Sequence, residues 1–234
     1  MPIDENIAHI RERMATAAAR VRRRSEDITL MAVSKTVEPE RIRQAYGAGL
    51  RVFGENRVQE FEKKSSALQD LAEAEWHLIG HLQSNKAKKA AEIFHAVDSV
   101  DSFHVAQKLN EVARQMGKVL PVLIEIKVSD EASKAGIPVG SPELESLLAG
   151  AATLDHIQVR GLMTVPPFTE DPEGARVYFR LLRDRRDQIA TRKLPRIEMD
   201  VLSMGMSHDF EVAIEEGSTC VRVGTAIFGA RPKP

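Results

Sequence analysis

The chain has 234 residues, 43% of them hydrophobic, with 33 basic and 34 acidic side chains and a formal charge of −1. This balance excludes a global field that would gather nucleic acid or an anionic membrane, and the single cysteine, Cys220, excludes an intrachain disulfide. The length suits one domain over residues 1–234. No stretch approaches the roughly 20 apolar residues of a membrane span, which predicts a soluble, cytoplasmic protein.

The first predicted element is an amphipathic helix over residues 3–24, within an N-terminal segment of residues 1–25. Apolar residues recur there at steps of three and four, with arginines between them: Ile3, Ile7, Ile10, Met14, Ala17 and Val21. The pattern predicts a helix that packs across a larger body.

Eight short apolar segments follow, separated by segments of helical pattern. They are ITLMAVS (28–34), RVFGEN (51–56), WHLIG (76–80), FHAVDSV (94–100), VLIEIKV (122–128), IQVRGLMTV (157–165), IEMDVLSM (197–204) and TCVRVGT (219–225). A strand and then a helix, repeated eight times, predict a single (β/α)₈ TIM-type barrel with an extra N-terminal helix. An open, doubly wound sheet is the alternative.

Polar residues close most of the predicted strands. In a barrel of this type the ligand site lies at the carboxyl ends of the strands. The residues at these ends are Lys35, Glu55, Asn56, His81, Asp98, Ser99, Lys127, Thr164, Ser203, Arg222, Gly224 and Thr225.

Lys35 is the candidate nucleophile among them. By the two-residue period of a strand, Met31, Val33 and Lys35 share one face, so the ammonium group is expected to point into the mouth of the barrel. A partly desolvated amine has a lowered pKa and forms an imine with an aldehyde or ketone. Taken alone, Lys35 is more typical of a solvated lysine at a strand end.

Two loops have the composition of a phosphate site. The segment LSMGMSHD (202–209) leads from a strand into a helix, and Gly224 and Thr225 follow the last strand. Glycine admits close approach of the backbone, and the first amides of a helix point at an anion, although ordinary helix capping has the same composition. With Lys35 in the same ring of strands, the combination favours a phosphorylated carbonyl compound.

Arg222 shares its strand face with Cys220 and Gly224, which directs its side chain into the mouth. Arginine has only donors and stays charged, so opposite a pyridine nitrogen it would keep that nitrogen unprotonated. A salt bridge to a neighbouring carboxylate is the alternative role.

Several sequence blocks together resemble the pyridoxal phosphate homeostasis protein family. They run in the family's order from about residue 28 to the C-terminus: AVSKT (32–36), FGENRVQE (53–60), WHLIGHLQSNK (76–86), VDSVDS (97–102), SDEASKAGI (129–137), GLMT (161–164), LSMGMS (202–207) and VRVGTAIFGAR (221–231).

The resemblance implies a fold-type III barrel similar to the N-terminal domain of alanine racemase, with pyridoxal 5′-phosphate (PLP) held as a Schiff base on Lys35. It implies that Asn56 lies by the cofactor ring and that Arg222 faces the pyridine nitrogen. The phosphate would be held by Ser203, Gly224 and Thr225, with His81, Met204, Gly205 and Ser207 as further neighbours. Two positions depart from the family pattern, because Lys127 replaces an asparagine and His208 a common aspartate. These departures affect the expected local charge and not the attachment of the cofactor.

No catalytic residue is predicted. Alanine racemases take a tyrosine from an additional domain, whereas Tyr46 and Tyr178 here lie in predicted helices, and His81 is the only other candidate acid or base. The resemblance implies intracellular PLP homeostasis by a monomer, with PLP and amino acids or PLP-requiring apoenzymes as partners, and with no nucleic acid or membrane.

Three alternatives remain open on the sequence. A racemase-like enzyme would exchange the Cα proton of an amino acid, and a class I aldolase-like barrel would use Lys35 without PLP. A nucleic-acid-binding module would use basic residues that are better explained as lying on solvent-exposed helix faces: Arg20, Arg22, Arg23, Arg24, Lys86, Lys88 and Lys89. None of the histidines has the i, i+4 spacing of metal ligands on a predicted helix, and no metal site is predicted.

Overall fold

A computed structural model describes residues 2–131 and 135–229 of the chain. The SDEASKAGI block lies partly outside these residues, as does the end of VRVGTAIFGAR. The strands are β1 (Thr29–Val33), β2 (Val52–Glu55), β3 (Glu75–Leu78), β4 (Ala96–Val100), β5 (Leu120–Lys127), β6 (Ile137–Pro138), β7 (Ile157–Met163), β8 (Ile197–Ser203) and β9 (Cys220–Val223). The α-helices are α1 (Ile3–Arg20), α2 (Pro39–Gly47), α3 (Val58–Ser65), α4 (Ala87–Ile93), α5 (Phe103–Gln115), α6 (Pro142–Ala151), α7 (Arg176–Ala190), α8 (Phe210–Glu215) and α9 (Thr225–Phe228).

Eight parallel strands close into a barrel. Their order is β4-β3-β2-β1-β9-β8-β7-β5, and pairing between β4 and β5 completes the ring. This closure confirms the predicted (β/α)₈ barrel and excludes the open doubly wound sheet. The short β6, which the sequence pattern did not predict, pairs in parallel with the end of β5 outside the ring.

The first helix packs on the barrel through its predicted apolar face, against α8, α9 and α2. It ends at Arg20, four residues earlier than predicted, and Val21 is exposed. The reason is a left-handed Arg22 (φ 55°), which turns the chain so that the amides of Arg22 and Arg23 donate to Ala19 O and Ala18 O. These two hydrogen bonds form a Schellman motif, which ends the helix here without a glycine.

Gly161, in the GLMT block, lies where the backbones of β7 and β8 approach each other closely. A Cβ at this position would lie 1.7 Å from the carbonyl oxygen of Val201 on β8, at a point where the β7–β8 register shifts. Only a residue without a side chain lets the two backbones meet there.

Gly161→Ala is therefore expected to destabilise the protein by about 3 kcal/mol, because the backbone of a packed barrel must move to admit the methyl group. Gly140→Ala is the matched control, since a Cβ there has no atom within 4 Å among the described residues. Urea unfolding of both variants measures the difference, and equal stabilities would contradict this account of the barrel.

Candidate functional site

The turn that carries Lys35 lies next to the turn of Gly224 and Thr225 at the carboxyl end of the barrel strands. Ala32 of β1 lies opposite Val223 of β9, and a Cβ at Gly224 would lie 3.3 Å from Val33 O. Lys35 follows two residues after Val33 and is half-buried, while Thr225 is exposed at the start of α9. Closure of the barrel through β1 and β9 thus brings the predicted nucleophile and a predicted phosphate turn together.

Both neighbours of Lys35 in the chain are held by carboxylates. Ser34 Oγ donates to Glu55 Oε1 at 2.5 Å, and the Thr36 amide donates to Glu60 Oε1 at 2.5 Å. Thr36 has a left-handed backbone with φ 60°. The turn that carries Lys35 is thereby fixed on each side of the lysine.

One ammonium group connects these contacts. Lys64 Nζ lies 2.8 Å from Glu55 Oε1 and 3.8 Å from Glu60 Oε1, and it donates to Ser34 O at 2.8 Å. Its side chain is only 11% exposed. We call Ser34, Glu55, Glu60 and Lys64 the Lys64 network; the sequence pattern pointed to Glu55 but not to its partner on α3.

Glu55 is a buried carboxylate with incomplete hydrogen bonding. It is 0% exposed, and its Oε2 has no hydrogen-bond partner among the described residues. Burial raises the pKa of Glu55, and the charge and hydrogen bonds of Lys64 and the hydrogen bond from Ser34 oppose this rise. Lys64 therefore supplies most of the compensation for a charge at this position.

Arg222 lies inside the barrel, as its strand parity predicted. It is 3% exposed, and its guanidinium donates to Ser203 Oγ at 2.7 Å and to Thr164 O at 2.6 Å. Burial lowers the pKa of Arg222, while Cys220, Asp98, Glu125 and Asp209 act in the opposite direction. The two hydrogen-bond partners of this fixed guanidinium are therefore uncharged, and the three carboxylates act on its charge at longer range.

Ser203, one of the residues expected around a phosphate, contacts the buried arginine. Its side chain is fully buried, and its oxygen accepts from Arg222. The structure thus puts Ser203 beside the arginine, where it orients the guanidinium.

Glu125 is a site residue that the sequence interpretation missed. It lies in the middle of β5, is 5% exposed, and its Oε2 has no hydrogen-bond partner among the described residues. Burial raises the pKa of Glu125 to about 7; Arg222 and His81 act to lower this pKa, and Asp101 acts to raise it. Strand parity was the available signal, because Glu125 lies two residues before Lys127, on the same face of β5.

The β8–α8 loop has a fixed shape that glycine makes possible. Gly205 has φ +93°, and Asp209 Oδ1 accepts from the Met206 amide at 2.6 Å. Ser207 Oγ accepts from the Ala226 amide at 3.3 Å, which ties this loop to the start of α9. The two predicted phosphate loops are therefore adjacent, while the Met204 side chain is fully buried in the core.

Asn56 and His81 follow β2 and β3 at the same end of the barrel. A Cβ at Gly80 would lie 2.3 Å from Asn56 O, so glycine is required where these two turns cross. Asn56 is half-buried, whereas His81 is exposed and lies 2.8 Å from Asp101 Oδ2 through its Nδ1. Tyr46 and Tyr178 lie on α2 and α7, away from the strand ends, as predicted.

A cavity of about 390 Å³ opens at the end of the barrel opposite the candidate site. Its lining includes His77 and Asp98, whose Nδ1 and Oδ2 atoms are 3.1 Å apart, and Glu75 at the rim. Burial lowers the pKa of His77, but Asp98 and then Glu75 outweigh it and raise this pKa to about 10. The pair neutralises two groups that are otherwise costly to place inside the barrel.

The His77 pair predicts a stability that declines in base. Because the folded pKa of about 10 exceeds the unfolded value of 6.5, its contribution is fully present below pH 6.5 and is lost as the pH rises through 10. Relative to a His77→Gln/Asp98→Asn double variant, we expect the wild type to lose about 3.5 kcal/mol between pH 7 and pH 10. Urea unfolding across this range measures the difference, and parallel pH profiles would contradict the assignment.

The groups at the carboxyl end match the three polar features of PLP. A half-buried amine suits the aldehyde, a buried guanidinium suits an unprotonated ring nitrogen, and adjacent Gly/Ser/Thr turns suit the phosphate. No group of three or more His, Cys, Asp or Glu residues arranged to hold a metal ion occurs in residues 2–131 and 135–229. Within the same part of the chain, none of the helices has the length and apolar character needed to cross a bilayer.

Comparison with known proteins agrees with this geometry. The model of the family "Alanine racemase, N-terminal domain" matches residues 6–232. The pyridoxal phosphate homeostasis protein of Aquifex aeolicus is 45% identical over 228 residues, which cover 97% of each chain. That of Escherichia coli K12 is 44% identical over 232 residues, covering 98% of this chain and 97% of the relative.

A solved structure supports the same assignment. PipY of Synechococcus elongatus, determined with PLP bound, superposes with a TM-score of 0.85 at 36% identity and covers 97% of this chain and 100% of that chain. The fold, the motifs and these relatives agree along nearly the whole length. The chain belongs to the pyridoxal phosphate homeostasis protein family.

Proposed function

We propose that this protein binds PLP as a reversible Schiff base on Lys35 and serves intracellular PLP homeostasis without catalytic turnover. The observation that carries the proposal is the meeting of the Lys35 turn with the Gly224–Thr225 turn, above the buried Arg222. The PLP-bound PipY structure and the relatives named as homeostasis proteins support it. PLP supplies an aldehyde that condenses with a primary amine and releases water.

Each side chain has a separate proposed task. Lys35 provides the amine, Asn56 lies by the ring, and Arg222 donates to the ring nitrogen. The phosphate is held by Gly224, Thr225 and the Ser207 loop, with His81, Met204 and Gly205 as further neighbours. Ser203 also holds the phosphate, through its hydroxyl proton, while its Oγ accepts from Arg222 Nη1 at 2.7 Å.

Two features argue for a carrier and against a racemase-like enzyme. Both tyrosines are on helices outside the barrel, and His81 is exposed and bound to Asp101. A guanidinium at the ring nitrogen disfavours the protonated ring that stabilises a carbanion. We infer that residues 1–234 form one monomeric, cytoplasmic PLP-binding domain that acts without nucleic acid or membrane and exchanges PLP with amino acids or apoenzymes.

Titration of the purified protein with PLP, followed by visible absorption, tests the proposal. We expect a yellow Schiff-base band that saturates at one equivalent and that excess amino acid or a PLP-requiring apoenzyme removes. A protein that stays colourless would contradict PLP binding and favour the aldolase-like alternative. In the same sample, deuterium exchange at Cα of added amino acids would contradict the absence of turnover.

A further inference from the structure

His208 contacts the loop between β7 and α7, at the carboxyl end of the barrel. Its Nε2 lies 3.1 Å from Thr169 O and 3.1 Å from Glu170 O, both in the connection between β7 and α7. Because carbonyl oxygens only accept, Nε2 must carry the proton and donate to both. His208 lies on the other loop, directly after Ser207.

An aromatic contact adds to these hydrogen bonds. The rings of Phe168 and His208 have centroids 5.4 Å apart and are tilted by 34°. Phe168 is 77% exposed, so this contact is not part of the core. We call His208, Phe168 and the carbonyl groups of Thr169 and Glu170 the His208 clamp.

The two clamped loops both begin at residues of the candidate site. The β7–α7 connection starts at Thr164, whose carbonyl accepts from Arg222 and whose hydroxyl donates to Ile126 O at 2.7 Å. The other loop carries Ser207 at the proposed phosphate site. Between its fixed start and the clamp, the β7–α7 connection contains Pro166 and Pro167, which limit its backbone freedom.

We propose that the His208 clamp holds the β7–α7 loop beside the phosphate side of the mouth and sets the rate at which a phosphorylated ligand leaves. This inference rests on the proposed function. Release requires the loops around the phosphate to separate, and two hydrogen bonds plus a ring contact oppose that separation. His208 acts as a positioning residue, because its contacts are to the loop and not to the ligand.

The test uses pyridoxine 5′-phosphate, which has no aldehyde and therefore cannot form a Schiff base with Lys35. Its dissociation from the wild type and from three variants is followed by stopped-flow fluorescence after a chase with excess PLP. His208→Leu removes the donor without adding charge, His208→Gln keeps an N–H donor, and Phe168→Leu removes only the ring contact. Hydrogen exchange of the amides in residues 168–171 reports opening of the loop in the same variants.

We expect His208→Leu to release the ligand roughly tenfold faster, which corresponds to about 1.4 kcal/mol, and to exchange the loop amides faster, because the hydrogen bond that Nε2 shares between the two carbonyl groups is lost. His208→Gln should stay close to the wild type, and Phe168→Leu should fall between them. Equal dissociation rates for wild type and His208→Leu, or equal acceleration by His208→Gln, would overturn the proposal. If the wild type binds neither pyridoxine 5′-phosphate nor PLP, the proposed function itself has failed, whatever the loop exchange shows.

Discussion

Lys64→Met is expected to lower the free energy of unfolding by about 3–5 kcal/mol, because it leaves the carboxylate of Glu55 buried without its counter-charge. Glu55 is 0% exposed and Lys64 Nζ lies 2.8 Å from it. The pKa of Glu55, already raised by burial, should rise further in the variant. A folded pKa above the unfolded value means that stability is lost as the pH rises. The free energy of unfolding of the variant should therefore be lower at pH 8 than at pH 5.

Two further variants make this prediction specific. Adding Glu55→Gln to Lys64→Met removes the buried charge and should restore most of the lost stability. Lys108→Met breaks an exposed pair with Glu111, whose side chains are 44% and 50% exposed, and should cost less than about 1 kcal/mol. If Lys64→Met and Lys108→Met unfold at the same urea concentration, Lys64 does not compensate the charge of Glu55.

The second large effect is expected for Arg222→Met. The guanidinium is 3% exposed and donates to Ser203 and Thr164, and its charge interacts at longer range with Asp98, Glu125 and Asp209. Its loss leaves the buried Thr164 carbonyl and the Ser203 hydroxyl without this donor and should cost about 3 kcal/mol of stability. Under the proposed function, the dissociation constant for PLP should also rise at least about tenfold, since a charge-assisted hydrogen bond is removed.

Arg160→Met provides the matched control for Arg222→Met. Arg160 is also a barrel arginine, but its partners are the carboxylates of Glu198 and Asp200 and its side chain is 40% exposed. Its replacement should cost less than about 1 kcal/mol and leave PLP affinity unchanged. Titration with PLP and urea unfolding of both variants measure the contrast. An Arg222→Met protein with wild-type stability and PLP affinity would contradict the role assigned to Arg222.

The barrel could be predicted from the sequence because its strands are buried, regularly spaced and closed by polar residues. Strand parity also placed Arg222 correctly inside the barrel. The end of α1 was predicted wrongly, because apolar spacing continues through Val21 while the left-handed Arg22 stops the helix. Backbone conformation of this kind at a non-glycine residue leaves no clear signal in the pattern.

The site was only partly predictable, because several of its contacts join residues far apart in the chain. Lys64 belongs to an amphipathic helix and looks like any surface lysine until α3 brings it to Glu55. His208 was noticed only as a departure from the family's common aspartate. An aspartate has no proton to donate to Thr169 O and Glu170 O, which explains in physical terms what this departure changes.

Borohydride reduction of the PLP-loaded protein, followed by peptide mass mapping, tests the central claim most directly. Reduction converts the Schiff base into a stable secondary amine and so marks the lysine that held the cofactor. We predict one pyridoxyl phosphate group per chain, on the peptide that contains Lys35, and the same result for Lys127→Ala, a lysine variant at another strand end. Modification of a different lysine at one equivalent of PLP, or no modification at all, would contradict the assignment of Lys35 as the cofactor-binding residue.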